Sequence, residues 1–158
     1  MKVKFSDLLK TEKNQWLILG GQLVTKILKD TVKGISQDGS GKSRDFPEYS
    51  FEYAKRKSQG KATAKGKSAS RQTSPPDLKL TGKMLNSIKT QKATSTSVEI
   101  NYRQAKKVED NAKLKRNIYG LNEKNEKFAQ DYFDNIIDKR VIKFAKKDIT
   151  IKLGKWPF

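Results

Sequence analysis

The chain has 158 residues, with 35 Lys and Arg against 17 Asp and Glu, a formal net charge of +18, and neither cysteine nor histidine. That length fits one domain around one core, and a composition 34% apolar and 33% charged keeps the core thin. Without thiol or imidazole, disulfides, thiolate nucleophiles, imidazole acid–base catalysis and nearly every transition-metal site are excluded, which leaves carboxylates, hydroxyls and lysines.

Apolar positions Leu9, Trp16, Leu23 and Leu17, Val24, Ile27, Leu28 recur at spacings of three, four and seven. This predicts a long amphipathic helix over 7–33, with Ser6 as N-cap and Gly34 ending it as a C′ residue. Each glycine of Gly20-Gly21 costs about 1 kcal/mol relative to alanine inside a helix, so the pair predicts a kink or a close helix contact. The apolar run from Trp16 to Val24 is broken by Gln22 and falls short of the ~20 residues of a bilayer span. Met1-Lys2-Val3-Lys4 opens without the apolar stretch of a signal peptide. No membrane partner is expected, and the chain is expected to stay in the compartment where it is made.

Residues 34–76 read as irregular, and 38–43 spell DGSGKS, whose Gly41-Lys42-Ser43 is how a phosphate-binding loop ends. That loop needs a glycine where Ser36 stands, inside a turn from strand to helix. Gly34 is two residues out of register and the preceding segment is helical, so the string reads as a surface turn. Phe46, Tyr49, Phe51 and Tyr53 follow, with Pro47 fixing the backbone. Such rings beside lysines can stack bases, but more commonly pin an irregular segment onto the core.

Between Ala54 and Thr96 eleven Lys and Arg face one acid, Asp77. Residues 55–75 contain no large apolar side chain and no acid, so they predict a basic, flexible excursion, with a coil end-to-end distance of roughly 25 Å for twenty residues. Its Lys55, Arg56, Lys57, Lys61, Lys65, Lys67 and Arg71 are the candidate residues for binding a partner or DNA. A solvated linker is the plainer reading of the same stretch.

Residues 77–121 predict a short helix and strands. Leu78 and Leu80 alternate with Asp77 and Lys79 as on a short strand or extended arm. Thr81 then stands as N-cap of a short helix with apolar face Met84, Leu85 and Ile88, and Leu80 and Leu85 have the spacing of a hydrophobic staple. Gly82, at the first helical position, implies another backbone passing close. Val98, Ile100 and Tyr102 alternate with polar residues as on a half-buried strand, with 90–95 as its hairpin partner. A polar connection leads to Arg116-Asn117-Ile118-Tyr119-Gly120-Leu121. Asn122 opens a second long helix over 122–147, striped by Phe128, Tyr132, Phe133, Ile136, Ile137, Val141 and Phe144. Residues 148–158 read as a terminal strand, Ile149, Ile151 and Leu153, with an apolar tail bearing Trp156 and Phe158. The sum is a single α+β domain: two long helices packed on a small, mainly antiparallel sheet, with a long basic flexible loop.

Three blocks in this order carry a family resemblance: Asp45-Phe46-Pro47-Glu48-Tyr49-Ser50 with Tyr53 and Lys57; Asp77-Leu78-Lys79-Leu80-Thr81-Gly82-Lys83-Met84-Leu85-Asn86-Ser87-Ile88; and Arg116 to Leu121. The chain resembles the virion-morphogenesis, or tail-completion, proteins of tailed bacteriophages, the Mu-like G-type and related tail-component proteins. It departs from their pattern at Asn117, where proline is frequent, and in the lysine-rich stretch before that turn. The resemblance implies a structural protein of the virion, assembled in the bacterial host cytoplasm, which works as a head–tail connector, neck or tail-completion ring. Its implied partners are copies of itself, adjoining neck, portal-adaptor or tail-tube proteins, and packaged DNA, whose phosphates a cationic surface could face. No enzyme activity and no cofactor is implied, and Leu80, Thr81, Gly82, Met84, Leu85 and Ile88 take an architectural role.

Two other classes fit parts of the chain. Charge and the basic stretch suit a nucleic-acid-binding protein. A metal-dependent nuclease could draw on Asp77 after Pro76, or on Asp131, Asp134 and Asp138 at helical spacing. However, Glu99-Ile100-Asn101 lacks the lysine of a nuclease triplet, and a solvated helix face accounts for the three aspartates.

Overall fold

The computed structural model describes residues 12–43, 45–63 and 70–148. It is an α+β fold whose described residues form four α-helices and a two-stranded antiparallel sheet: α1 (Lys13–Val32), α2 (Phe51–Ser58), β1 (Ile88–Ala93), β2 (Val98–Tyr102), α3 (Ala105–Lys113) and α4 (Glu123–Asp148). A single 3₁₀ turn, Leu85–Ser87, leads into β1.

α1 buries Leu19, Leu23 and Ile27, one residue per turn, against the hairpin. Its Gly20 is the point of closest approach. A Cβ there would lie 2.7 Å from Val98 Cγ2 and 2.9 Å from Thr90 Cγ2, whereas one on Gly21 would meet nothing within 4 Å. The glycine pair thus accommodates a sheet rather than a second helix, and only its first member is needed for that. The helix closes in a Schellman turn: the Gly34 N–H donates to Thr31 O at 3.1 Å and the Ile35 N–H to Asp30 O at 2.9 Å. The proposed N-cap, Ser6, lies outside the described residues.

β1 and β2 pair from Ile88↔Tyr102 to Ala93↔Val98, with an irregularity between Thr90 and Lys92 that leaves Gln91 unmatched. The core beside the hairpin gathers Phe46, Leu78, Met84, Leu85, Ile88, Val108 and Ile118, with Ile100, Tyr102 and Tyr119 packed against it. Ile88, read from sequence as the last apolar residue of a short helix, is the first residue of β1.

α4 runs antiparallel to α1 and packs along it. The Trp16 and Phe133 rings meet edge-on at 4.4 Å, and Tyr132 Oη donates to Gln15 O at 3.3 Å. Asn122 caps α4, its Oδ1 accepting the Asn125 N–H at 3.0 Å. Its Nδ2 donates to Asp30 Oδ2 and to Ser36 O, both at 3.2 Å, and Asn125 Nδ2 reaches the same Asp30 oxygen at 2.8 Å. The end of α1 and the start of α4 are therefore tied by one buried carboxylate. Gly41 passes so near that a Cβ would sit 2.6 Å from Asn122 Oδ1, and its φ of +73° is one that glycine adopts freely.

Three expectations need correction. Residues 51–58 form α2, so the segment 34–76 is not irregular throughout. The connection after β2 contains α3, which sequence periodicity did not reveal because Val108 is its single buried anchor. Leu78 and Leu80 lie on no strand: Leu78 has φ +51°, left-handed backbone that no extended arm contains. Asp148, expected to open a final strand, is the last residue of α4, while 149–158, with Trp156 and Phe158, and the Phe144 side chain lie outside the described residues. Among the described residues, no helix is long and apolar enough to cross a membrane.

Candidate functional site

The segment before α2 is fastened at both ends of its extended run. Asp45 and Phe46 donate backbone N–H bonds to Gly34 O, both at 2.9 Å, and Phe46 enters the core. Arg116 closes over the next residues, with Nε donating to Pro47 O at 3.0 Å, Nη2 to Glu48 O at 2.8 Å, and its guanidinium 4.9 Å from the centre of the Tyr49 ring. The first and third motif blocks thus meet through one arginine.

Tyr49 carries the chain to the second block. Its Oη accepts the Leu78 N–H at 3.0 Å and lies 3.4 Å from Asp77 Oδ1. Lys57, returning from α2, lies with Nζ 4.7 Å from the Tyr49 ring centre and forms an ion pair with Asp77 Oδ1. The side chains of Lys57 and Asp77 are 0% and 2% exposed. Asp77 accepts further bonds from Ser70 Oγ at 2.5 Å and from the Lys79 N–H at 3.1 Å, so its charge is saturated by donors. Burial, reinforced by the Asp77 carboxylate and opposed by the Leu78 N–H, pushes the Tyr49 phenol far above its ordinary range. Tyr53, edge-on to Tyr49 at 4.9 Å, is raised for the same first reason.

An open cleft of about 520 Å³ lies beside this lock. Leu78, Leu80 and Met84 form an apolar side, Leu114 projects from the end of α3, and Lys107, Asp110 and Arg116 supply charge. Leu114 is 57% exposed and Phe51, at the start of α2, 81% exposed. An apolar depression with a charged rim has the anatomy of a contact surface for another polypeptide.

The predicted binding residues divide. Lys55, Arg56, Lys61 and Arg71 are exposed, whereas Lys65 and Lys67 lie outside the described residues. Lys57 is corrected: it is wholly buried on Asp77 and cannot bind a partner, because moving its ammonium to the surface would strand a buried carboxylate. Of the architectural residues, Met84, Leu85 and Ile88 are buried in the core, while Leu80 and Thr81 line the cleft. Two readings of this turn change. Thr81 makes no cap, since Met84 holds the position before the 3₁₀ turn and no side chain caps the turn. Gly82 faces no neighbouring backbone, and its φ of +77° is what calls for glycine.

Comparison with protein-family models, curated proteins and solved structures finds no match. Sequence reasoning missed Arg116 as a clasp and Lys57–Asp77 as a pair. The signal for the pair was in view: one acid among eleven bases, placed directly before a buried block, has electrostatic reason to be someone's partner. Among the described residues no group of three or more carboxylates is placed to hold a metal, and Asp134 instead accepts a bond from Gln130 at 2.9 Å.

Proposed function

We propose that this chain is a structural virion protein of a tailed bacteriophage, a connector, neck or tail-completion component that acts by docking on copies of itself and on adjoining virion proteins. The observation that carries this reading is the convergence of the three blocks behind the resemblance. Tyr49, Asp77 and Arg116, one from each, meet at a single latch beside an open apolar cleft. The chain builds its best-held polar cluster as an internal brace, and its accessible features are contact surfaces: the cleft, Phe51, and the exposed Leu17, Ile18, Val141 and Ile142 of the two long helices. A thin domain with unpaired apolar faces on two long helices suits one heterologous interface repeated around an axis.

The exposed Lys55, Arg56, Lys61 and Arg71 belong to this proposal as a basic edge for acidic faces of neighbouring virion proteins. No catalytic step is assigned to the Lys57–Asp77 pair, which is sealed from solvent.

The test is assembly without the chain. Particles made with its gene disabled are expected to accumulate as filled heads and tails that are unjoined or have unfinished ends, rescued by supplying the protein. Complete, joined and infectious particles would overturn the proposal.

A further inference from the structure

A part of the surface that shares no lining residue with the cleft beside the latch concentrates positive charge without balancing it. Two adjoining depressions run along the α1–α4 seam and over the loop after α1, with volumes of about 330 and 730 Å³. Both are lined by Lys33 and Lys124, which makes them one groove. Lys26 and Lys29 extend it along α1, and Lys42, from the Gly41-Lys42-Ser43 turn, closes its far end. Lys26 lies on α1 and Lys33 is its C-cap seven residues on, about 10 Å of rise.

These five lysines share the groove with one carboxylate, Asp30, which is 5% exposed and bonded by Asn122 and Asn125 beneath the surface. Glu123 and Glu126 of the first turn of α4 are not among the lining residues. No ion pair joins Lys29, Lys33, Lys42 or Lys124 to a carboxylate among the described residues. Lys26 is held in place by its ammonium lying 4.1 Å from the centre of the Phe128 ring. Holding like charges side by side is unfavourable unless an anion offsets it, so the arrangement selects a ligand with repeated negative charge.

We infer that this groove binds the phosphodiester backbone of a nucleic-acid duplex without reading its sequence. The lining distinguishes this ligand from others. Its cations are all ammoniums, which meet phosphates as point charges and make no forked contact to base edges. Its one aromatic ring, Phe128, lies under Lys26, so no free platform exists for stacking the bases of a single strand. A protein partner of comparable affinity would need apolar anchors, and the groove offers Ile35 and that covered ring. Duplex binding by the groove does not depend on the assembly proposal: the groove shares no lining residue with the cleft, and binding is read on purified protein.

The test compares two charge-neutralising triples in the full chain by fluorescence anisotropy on 30-base-pair DNA and RNA duplexes across a salt series. Lys29→Gln/Lys33→Gln/Lys124→Gln removes the groove's centre, at exposed positions where glutamine keeps helix propensity close to that of lysine. Lys55→Gln/Arg56→Gln/Lys61→Gln removes the same charge from the α2 edge. With about 0.9 in log–log salt slope per phosphate contact, the groove triple is expected to flatten the slope by about 2.7 and the α2 triple to leave it near the unsubstituted value. Lys33→Glu alone, at the junction of the two depressions, should flatten it by roughly 1. Groove-dependent binding of either duplex supports the inference. Equal effects of the two triples, or a groove triple that changes nothing, overturns it. So does polyglutamate binding that depends on the groove while duplex binding does not.

Discussion

Lys57 and Lys33 carry the same ammonium and have opposite surroundings. Lys57 is enclosed, with Asp77, Ser70 and Tyr49 satisfying one another around it, whereas Lys33 shares a groove with four other lysines and no surface carboxylate. The difference shows that the number of charges in a stretch of sequence does not locate a binding face. What locates it is the number of charges left without partners after folding. The basic stretch around residue 57 is in part internal wiring, and the groove gathers its ammoniums from positions 26, 29, 33, 42 and 124, which no short sequence window brings together.

The largest expected effect breaks the enclosed side of this comparison. Lys57→Met leaves Asp77 buried without its cation and should cost about 3–5 kcal/mol in urea unfolding, whereas Lys55→Ala, one turn-edge away and exposed, should stay within about 0.5 kcal/mol. Lys57→Met/Asp77→Leu should recover much of the loss, since removing both charges removes the penalty. Strictly additive losses would mean that the two side chains are not a unit.

Next is the packing of α1 on the hairpin. Gly20→Ala drives a Cβ to 2.7 Å from Val98 Cγ2 and should destabilise by about 1–3 kcal/mol, whereas Gly21→Ala points into open space and should stabilise by about 0.5–1 kcal/mol. Equal effects of these neighbouring substitutions would contradict the placement of the hairpin. The smallest effect concerns Tyr102, whose phenol burial pushes up from 10.0 to about 12, with Tyr119 adding to it. Because the folded form holds that proton more tightly than the unfolded form, its contribution to stability is complete below pH 10 and is lost as the pH rises towards 12. Ultraviolet titration should find this tyrosine ionising late, and ionisation near 10 would place the ring in water.

Much of the fold was legible in local pattern. The long helices follow from apolar spacing in α1 and α4, the hairpin from the alternation of Val98, Ile100 and Tyr102, and the start of α4 from Asn122. What was illegible depended on distant partners. α3 has one buried anchor and therefore no period, and α2 lies in a segment whose composition reads as coil because the burial of Lys57 depends on Asp77, 20 residues on. The site divides the same way. The block from Asp77 to Ile88 stood out by composition, but the clasp by Arg116 and the five-lysine groove exist only once the helices have met.

In the proposed function the chain works through its surfaces, with copies of itself as first partner. Native mass spectrometry of the purified full-length protein across a concentration series, with imaging of whatever assembles, tests this most directly. A discrete closed oligomer, lost when Leu114→Asp or Phe51→Asp is introduced without loss of helical signal, is the expected result. A monomer at every concentration up to the solubility limit would contradict it.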